Sequence, residues 1–370
     1  MNTPIDRYPL EGTFELTARC NLRCKMCYVR VDTDVIRKSG KQERTAAEWI
    51  GMAEQAAKAG TFQLLLTGGE VTLRPDFPEI YEAIARMGFV LTVYTNATII
   101  TDKVMDVFRR FPPHKIGVTM YGASNETYEK LCGDPRGYDR FLEGLSRLQE
   151  LPSLLDIRTT LVRDNLPDLK AMVEFTRERF GPKKILHVSA HLYPGTRGAV
   201  EDPRKARLSA KEMFCACHRD LAALWRAADS GEMELRSPVI ADKLRELEEE
   251  LRRRGPVPDG EYLFRNCGAG IRSWFISWDG AMYACGMLPK GCTQPFEQGF
   301  EQAWAELPAQ YPLSHLSEKC RSCELLPYCD SCPAQRILES GAWNGVPDYA
   351  CDAARVNKAF LESLHSALTI

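Results

Sequence analysis

The chain has no long apolar run. Nothing in it approaches the ~20 residues that a membrane-spanning helix needs. The start, MNTPIDRYPL, lacks the basic region and apolar core of a secretory signal. An excess of either charge is missing as well: 48 Lys and Arg stand against 50 Asp and Glu, for a net charge of −2. Bulk charge therefore gives no means of holding nucleic acid or an anionic membrane surface. Internal repeats and low-complexity segments are absent. These absences lead to the expectation of a cytoplasmic protein, in a compartment where disulfides are rare. Cysteine itself is scarce from residue 28 to residue 214, where only Cys132 occurs. The one excess is that the 370 residues hold 14 cysteines, most of them at the two ends of that poor stretch. That is too many for casual core filling, so their spacing should explain them.

The length suits roughly two to three compact units. Between the cysteine groups two patterns alternate. Thr13–Thr17, Phe62–Leu66, Val90–Tyr94, Ile116–Met120, Asp156–Val162 and Ile185–Ala190 read as strands, several of them bounded by Gly or Asn. Thr45–Ala59 reads as a helix with Thr45 as N-cap and Glu48 closing a capping box. Phe77–Met87, Thr101–Arg110, Tyr138–Leu148 and Pro167–Arg179 repeat apolar residues at helical spacing. Strand and helix units in series imply an α/β fold with a parallel sheet and right-handed crossovers. A partial or complete β/α barrel is the natural closure, and an open doubly wound sheet is its rival. Either way the active face lies at the strand C-termini. Residues 201–255 change to strongly charged helix, and GPVPDG at 255–260 signals a linker. The expected division is a barrel over 1–200, a helical connector over 201–255 and a cysteine-rich domain over 256–370.

Cys20, Cys24 and Cys27 follow directly on the first strand as CxxxCxxC. Three thiolates on one tight loop suit three irons of a 4Fe–4S cluster, leaving one iron open. Structural zinc wants a fourth ligand, and none is near in sequence. In this motif the sequence resembles the radical S-adenosylmethionine (SAM) superfamily. Gly68-Gly69-Glu70, at the end of the second strand, looks like that family's GGE motif. Tyr94-Thr95-Asn96 resembles its TNG segment, with Ala97 in place of Gly. Tyr121-Gly122-Ala123-Ser124 resembles its segment after the fourth strand, where an acidic residue normally stands at the Tyr121 position. The resemblance implies SAM bound at the open iron, with Met26, Gly68, Gly69, Glu70, Thr95, Asn96, Ser124 and Arg158 as candidate contacts. A surface ion pair is the rival reading for Arg158. It also implies reductive cleavage of SAM to a 5′-deoxyadenosyl radical that takes a hydrogen atom from a substrate.

The second group is Cys267, Cys285, then Cys320-x2-Cys323-x5-Cys329-x2-Cys332, and Cys351. Trp274–Ser277, the Asp279-Gly280 turn and Ala281–Cys285 read as a hairpin. Seven thiolates are the wrong number for two four-cysteine zinc sites. The pattern is similar to the SPASM domain of many radical SAM enzymes, with one residue fewer before Cys332. That resemblance implies one auxiliary 4Fe–4S cluster on Cys320, Cys323, Cys329 and Cys351, and another on Cys267, Cys285 and Cys332 with an open iron or a borrowed ligand such as Cys292. Three 4Fe–4S clusters are thus expected in all, and the fold class becomes a partial (β/α)6 TIM-like barrel followed by a small SPASM domain.

Enzymes of this type mostly modify peptides or proteins. The leading expectation is therefore a maturase that leaves a thioether or carbon–carbon crosslink, or an oxidised residue, in a ribosomal peptide. Gly286 stands where sulfatase-maturing relatives carry an Asp, which weakens that branch. Only 19 residues precede Cys20, too few for a leader-binding domain, so a separate leader-recognition protein or direct docking on the barrel mouth is expected, along with an electron donor such as flavodoxin or ferredoxin. His191 and Tyr193, past the sixth strand, are candidates to move a proton or hold substrate. Cys215 and Cys217, in MFCACHRD, are candidate hydrogen-atom donors in an epimerase. A small-molecule dehydrogenase and a zinc-structured binding protein are the remaining alternatives.

Overall fold

The computed structural model describes residues 6–196, 199, 201–218, 238–255 and 257–368. Residues 219–237 of the expected connector, and Pro256 in the expected linker, lie outside the described residues.

The chain forms two compact units. The first comprises Thr3–Arg207 with Gly268–Tyr311, and the second comprises Leu208–Cys267 with Pro312–Ile370. A single cut near residue 256 therefore does not describe the molecule, because the segment around the expected hairpin belongs to the first unit.

The first unit is built on one eight-stranded sheet in the order β6-β5-β4-β3-β2-β1-β7-β8. Its parallel strands are β1 (Glu11–Glu15), β2 (Gln63–Thr67), β3 (Val90–Thr95), β4 (Lys115–Thr119), β5 (Leu154–Thr160) and β6 (His187–Ser189). The order runs steadily in one direction. A doubly wound sheet would reverse at a switch point, so the rival topology is excluded. The strands at the two edges, β6 and β8, do not pair with each other, and the barrel is partial.

The helices of this layer are α1 (Thr33–Ser39), α2 (Ala46–Lys58), α3 (Phe77–Arg86), α4 (Asp102–Arg110), α5 (Asn125–Cys132), α6 (Gly137–Leu148) and α7 (Leu169–Phe180). The capping box expected from Thr45 and Glu48 is present at the start of α2. In α3 the buried residues are Phe77, Ile80, Tyr81 and Ile84, the stripe that 3.6-residue periodicity puts on one face. Phe14 of β1 lies 4.8 Å from Trp49 of α2, which marks its face as the helix-covered one. By parity Leu66, Val93, Ile116 and Ile157 share that face and are fully buried. Thr13, Tyr94, Gly117, Asp156, Arg158 and His187 share the other face, the barrel lumen.

The expected hairpin exists as β7 (Ser273–Ile276) and β8 (Met282–Tyr283). Its place differs from the expectation. β7 pairs parallel with β1, Gly12 opposite Trp274, and so extends the barrel sheet. Packing explains the docking. A Cβ on Gly12 would stand 2.1 Å from the Trp274 ring, so only glycine leaves room for it. The ring then packs 5.3 Å from Phe14, and its indole N–H donates to Thr61 Oγ1 at 3.2 Å.

The second unit is helical. Its α8 (Ala210–Cys217) packs on the long helix Asp348–Leu368, with the Phe214 and Phe360 rings 4.7 Å apart. A further helix, α9, spans Pro238–Arg254. No helix among the described residues is long and apolar enough to cross a membrane.

Candidate active site

The loop after β1 carries Cys20, Cys24 and Cys27 and is fastened on two sides. Toward α5, Arg23 N–H donates to Cys132 O at 2.8 Å and Lys25 N–H to Leu131 O at 3.0 Å. Toward the β2 end, Gly69 N–H donates to Thr17 O at 2.7 Å and Glu70 N–H to Arg19 O at 2.9 Å. The paired glycines serve this second seam. A Cβ on Gly68 would stand 2.7 Å from Thr17 O, and one on Gly69 2.3 Å from Arg19 O. Close approach of the cysteine loop itself requires the two glycines.

Glu70 is 1% exposed and sits among donors. Its carboxylate accepts from Thr72 N–H at 3.2 Å, Thr72 Oγ1 at 2.7 Å, Thr95 Oγ1 at 2.8 Å and Asn96 N–H at 2.7 Å. Burial raises its pKa against the pull of those bonds. The carboxylate thus ties the end of β2 to the end of β3. Asn96 carries the network onward: its Nδ2 donates to Asn21 Oδ1 at 3.0 Å and lies 3.9 Å from Cys20 Sγ. Ala97 holds the positive φ of 58° that glycine would take in a TNG segment.

The three thiols are drawn into apolar surroundings. Cys24 is 7% exposed, in a cluster with Leu22, Met26, Leu131 and Cys132. Its thiol bonds to Cys132 and is buried, and both effects push its pKa well above the ordinary value. Burial likewise raises Cys20 and pushes Cys27 up to about 11. Thiolates in such a pocket need a cationic partner, which an iron cluster supplies. None of the 14 cysteines is in a disulfide. Among the described residues no three His, Cys, Asp or Glu side chains are gathered tightly enough to grip a metal ion. A cubane is met at its corners by one thiolate per iron, a wider spacing than one ion demands. The donor set and its burial fit that group.

The other candidates fall in several places. Met26 is buried in the apolar cluster beside Cys24. Ser124 caps α5, accepting from Thr127 N–H at 3.2 Å. Arg158 lies on the lumen face over the Tyr94 ring. His191 is exposed and Tyr193 half-buried, both on the irregular stretch after β6. Cys215 and Cys217 are on α8 in the second unit. The long loop at residues 28–44 contains α1, a helix that sequence reasoning missed. Its αL Gly40 after Arg37 and Lys38 was the available signal.

The Radical SAM superfamily model matches residues 14–176, which run from the end of β1 through most of α7 and include Cys20, Cys24, Cys27, Glu70 and Asn96. This stretch of the chain is a radical SAM domain. The protein is a SPASM-type enzyme, and its family implies SAM and a 4Fe–4S cluster as cofactors. The AdoMet-dependent heme synthase of Methanosarcina barkeri is 26% identical, over 89% of this chain and 92% of its own. The subtilosin biosynthesis protein AlbA of Bacillus subtilis is 20% identical, over 88% of this chain and 67% of its own. Streptococcus suis SuiB bound to its precursor peptide SuiA superimposes with a TM-score of 0.63 at 17% identity, covering 94% of this chain and 76% of SuiB.

In this radical SAM enzyme the later cysteines are spread over both units. Cys285 follows β8 in the first unit, whereas Cys267, Cys320, Cys323, Cys329, Cys332 and Cys351 belong to the second. Cys320 lies in the short helix Glu318–Arg321, and Cys329 ends the turn Leu326–Tyr328. Cys351 arrives from the helix Asp348–Leu368, and its pKa is raised by burial and then by the neighbouring Cys329 and Cys320. Tertiary structure thus brings Cys351 beside two thiols more than 20 residues away in sequence. Cys332 caps the helix Pro333–Ser340, with Gln335 N–H 3.3 Å from its sulfur.

Proposed function

We propose that this radical SAM enzyme is a peptide maturase that removes hydrogen from a ribosomally made peptide and leaves a crosslink or an oxidised residue. Similarity to AlbA along 88% of the chain carries the reading, supported by the shared fold with a SuiB–SuiA complex. When bound, SAM and its cluster supply a 5′-deoxyadenosyl radical. Cys20, Cys24 and Cys27 hold that cluster. Gly68, Gly69 and Glu70 brace the loop and, with Met26, Thr95, Asn96 and Ser124, line the cradle for SAM. His191 and Tyr193, beyond β6, are the groups in reach of a substrate proton at the mouth. Cys320, Cys323, Cys329 and Cys351 hold an auxiliary cluster in the second unit. Cys267, Cys285 and Cys332 are assigned to another by the SPASM resemblance alone. A separate leader-recognition protein and a flavodoxin or ferredoxin complete the system.

Anaerobic co-expression with the small open reading frame beside the gene tests this. A product lighter by two hydrogen atoms supports it. An unchanged mass with inverted residues replaces it by epimerisation, in which case Cys215→Ala or Cys217→Ala should abolish the inversion. A second reading, modification of a tetrapyrrole side chain, is favoured by the 26% identity to a heme synthase over nearly both whole chains. Turnover of a tetrapyrrole and of no peptide would establish it instead.

A further inference from the structure

The lumen face of β3 to β6 carries a charged group, Arg158, whose guanidinium has no hydrogen-bond acceptor among the described residues. Arg158 of β5 lays its guanidinium over the Tyr94 ring of β3, 4.2 Å from the centroid. The intervening strand β4 makes this possible. Gly117 pairs with both Tyr94 and Asp156, and a Cβ there would stand 2.6 Å from the Tyr94 ring. The missing side chain at Gly117 is the space the ring occupies.

Arg158 is then only partly spent. Its Nε lies 4.0 Å from Asp156 Oδ2, beyond hydrogen-bond reach. Asp156 gives its other oxygen to His187 Nδ1 at 2.5 Å. Among the described residues no acceptor engages the terminal guanidinium nitrogens of Arg158, and its side chain is about one-third exposed. Lys115, two residues before Gly117 on the same face, has no acidic partner among the described residues.

A flat guanidinium held over an aromatic ring, partly exposed and with its fork unpaired among the described residues, matches a carboxylate in shape and charge. A dianionic phosphate would meet Asp156 at close range, so the monoanion fits better. We propose that Arg158, set by Tyr94, Gly117 and Asp156, binds a carboxylate of the substrate, an acidic side chain of the peptide. The inference rests on the maturase reading for the identity of that peptide. The same chemistry has a second source in the methionine carboxylate of SAM, and the test separates the two.

The test uses anaerobically reconstituted full-length enzyme saturated with SAM. The probe is N-acetylglutamate α-amide, followed by saturation-transfer NMR, with the N-acetylglutamine analogue as its neutral twin. The proposal expects the glutamate probe to bind and the glutamine twin to be silent. Arg158→Gln should weaken the probe by roughly tenfold or more, while leaving SAM affinity within about threefold. Arg158→Lys keeps the charge but loses the fork; it should weaken the probe too, and it guards against a folding artefact, with iron content as the check. Gly117→Ala should weaken the probe by displacing Tyr94. Absence of probe binding overturns the proposal. So does displacement of the probe by SAM, or a parallel tenfold loss of SAM affinity in Arg158→Gln, either of which assigns the site to SAM. Failure to form 5′-deoxyadenosine would count against the radical reading and leave this binding result standing.

Discussion

The two cysteine groups sit in contrasting surroundings. Cys20, Cys24 and Cys27 lie on a loop hydrogen-bonded to α5 on one side and to the Gly68–Glu70 turn on the other, inside the fully packed first unit. Cys320 lies on a four-residue helix, Cys323 just after it, and Cys329 just after a three-residue 3-10 segment. Segments that short do not hold themselves in water. What orders them here is a few contacts, such as Asn357 Nδ2 donating to Tyr328 O at 3.1 Å and Leu316 N–H donating to Asp259 Oδ1 at 2.7 Å. The first site is a scaffold made ready for a cluster. The second resembles small metal domains in which ligand binding is a large part of folding. The expectation is that metal binding matters more to the folding of the second region than to that of the first.

The strongest test of that contrast is Cys27→Ala. It should abolish 5′-deoxyadenosine formation under dithionite and leave the protein short by about four irons relative to the unaltered enzyme, with any iron bound in the second unit unaffected. Retained cleavage would break the assignment of the first site. Next, stripping all iron with a chelator should leave amide protection in β2 and β4 near its starting level and collapse it over residues 318–332. Equal loss in both regions, read by hydrogen exchange, would erase the distinction. Gly12→Ala drives a methyl into the Trp274 ring and should cost about 1–3 kcal/mol by overpacking. Thermal unfolding measures it, and the effect should fall on the first unit alone. The smallest effect belongs to Thr45→Ala, which removes the capping box of α2 for about 1 kcal/mol, with SAM cleavage unchanged in an activity assay.

Much of the first unit was legible in the sequence. Strand parity, the Thr45–Glu48 capping box and the CxxxCxxC spacing are local signals, and each depends on residues within a turn or two of one another. Strand edges moved by at most two residues: the sixth shrank from Ile185–Ala190 to His187–Ser189. The hairpin was found and its place was missed. Nothing in SWFI says which edge it will join, because the reason is the absence of a Cβ at Gly12, some 260 residues earlier. Gly68 and Gly69 were readable as a ligand cradle, but their neighbours are the carbonyls of Thr17 and Arg19. Glu70 was readable as a candidate SAM contact, and its oxygens are engaged by Thr72, Thr95 and Asn96.

By itself the sequence determined which groups stand close along the chain: three thiols after a strand, a glycine pair with a carboxylate one strand later, and a second thiol set near the C-terminus. Cluster ligation depends on residue type and short spacing, and both are written in the chain. Only the tertiary structure decided which distant groups share a neighbourhood. It put Cys351 beside Cys320 and Cys329, and Trp274 over Gly12. It also took Arg158 from a generic cation on a strand to a stacked, unspent fork over Tyr94. Those outcomes depend on sheet register and side-chain volume, which are fixed by packing among residues far apart in the chain.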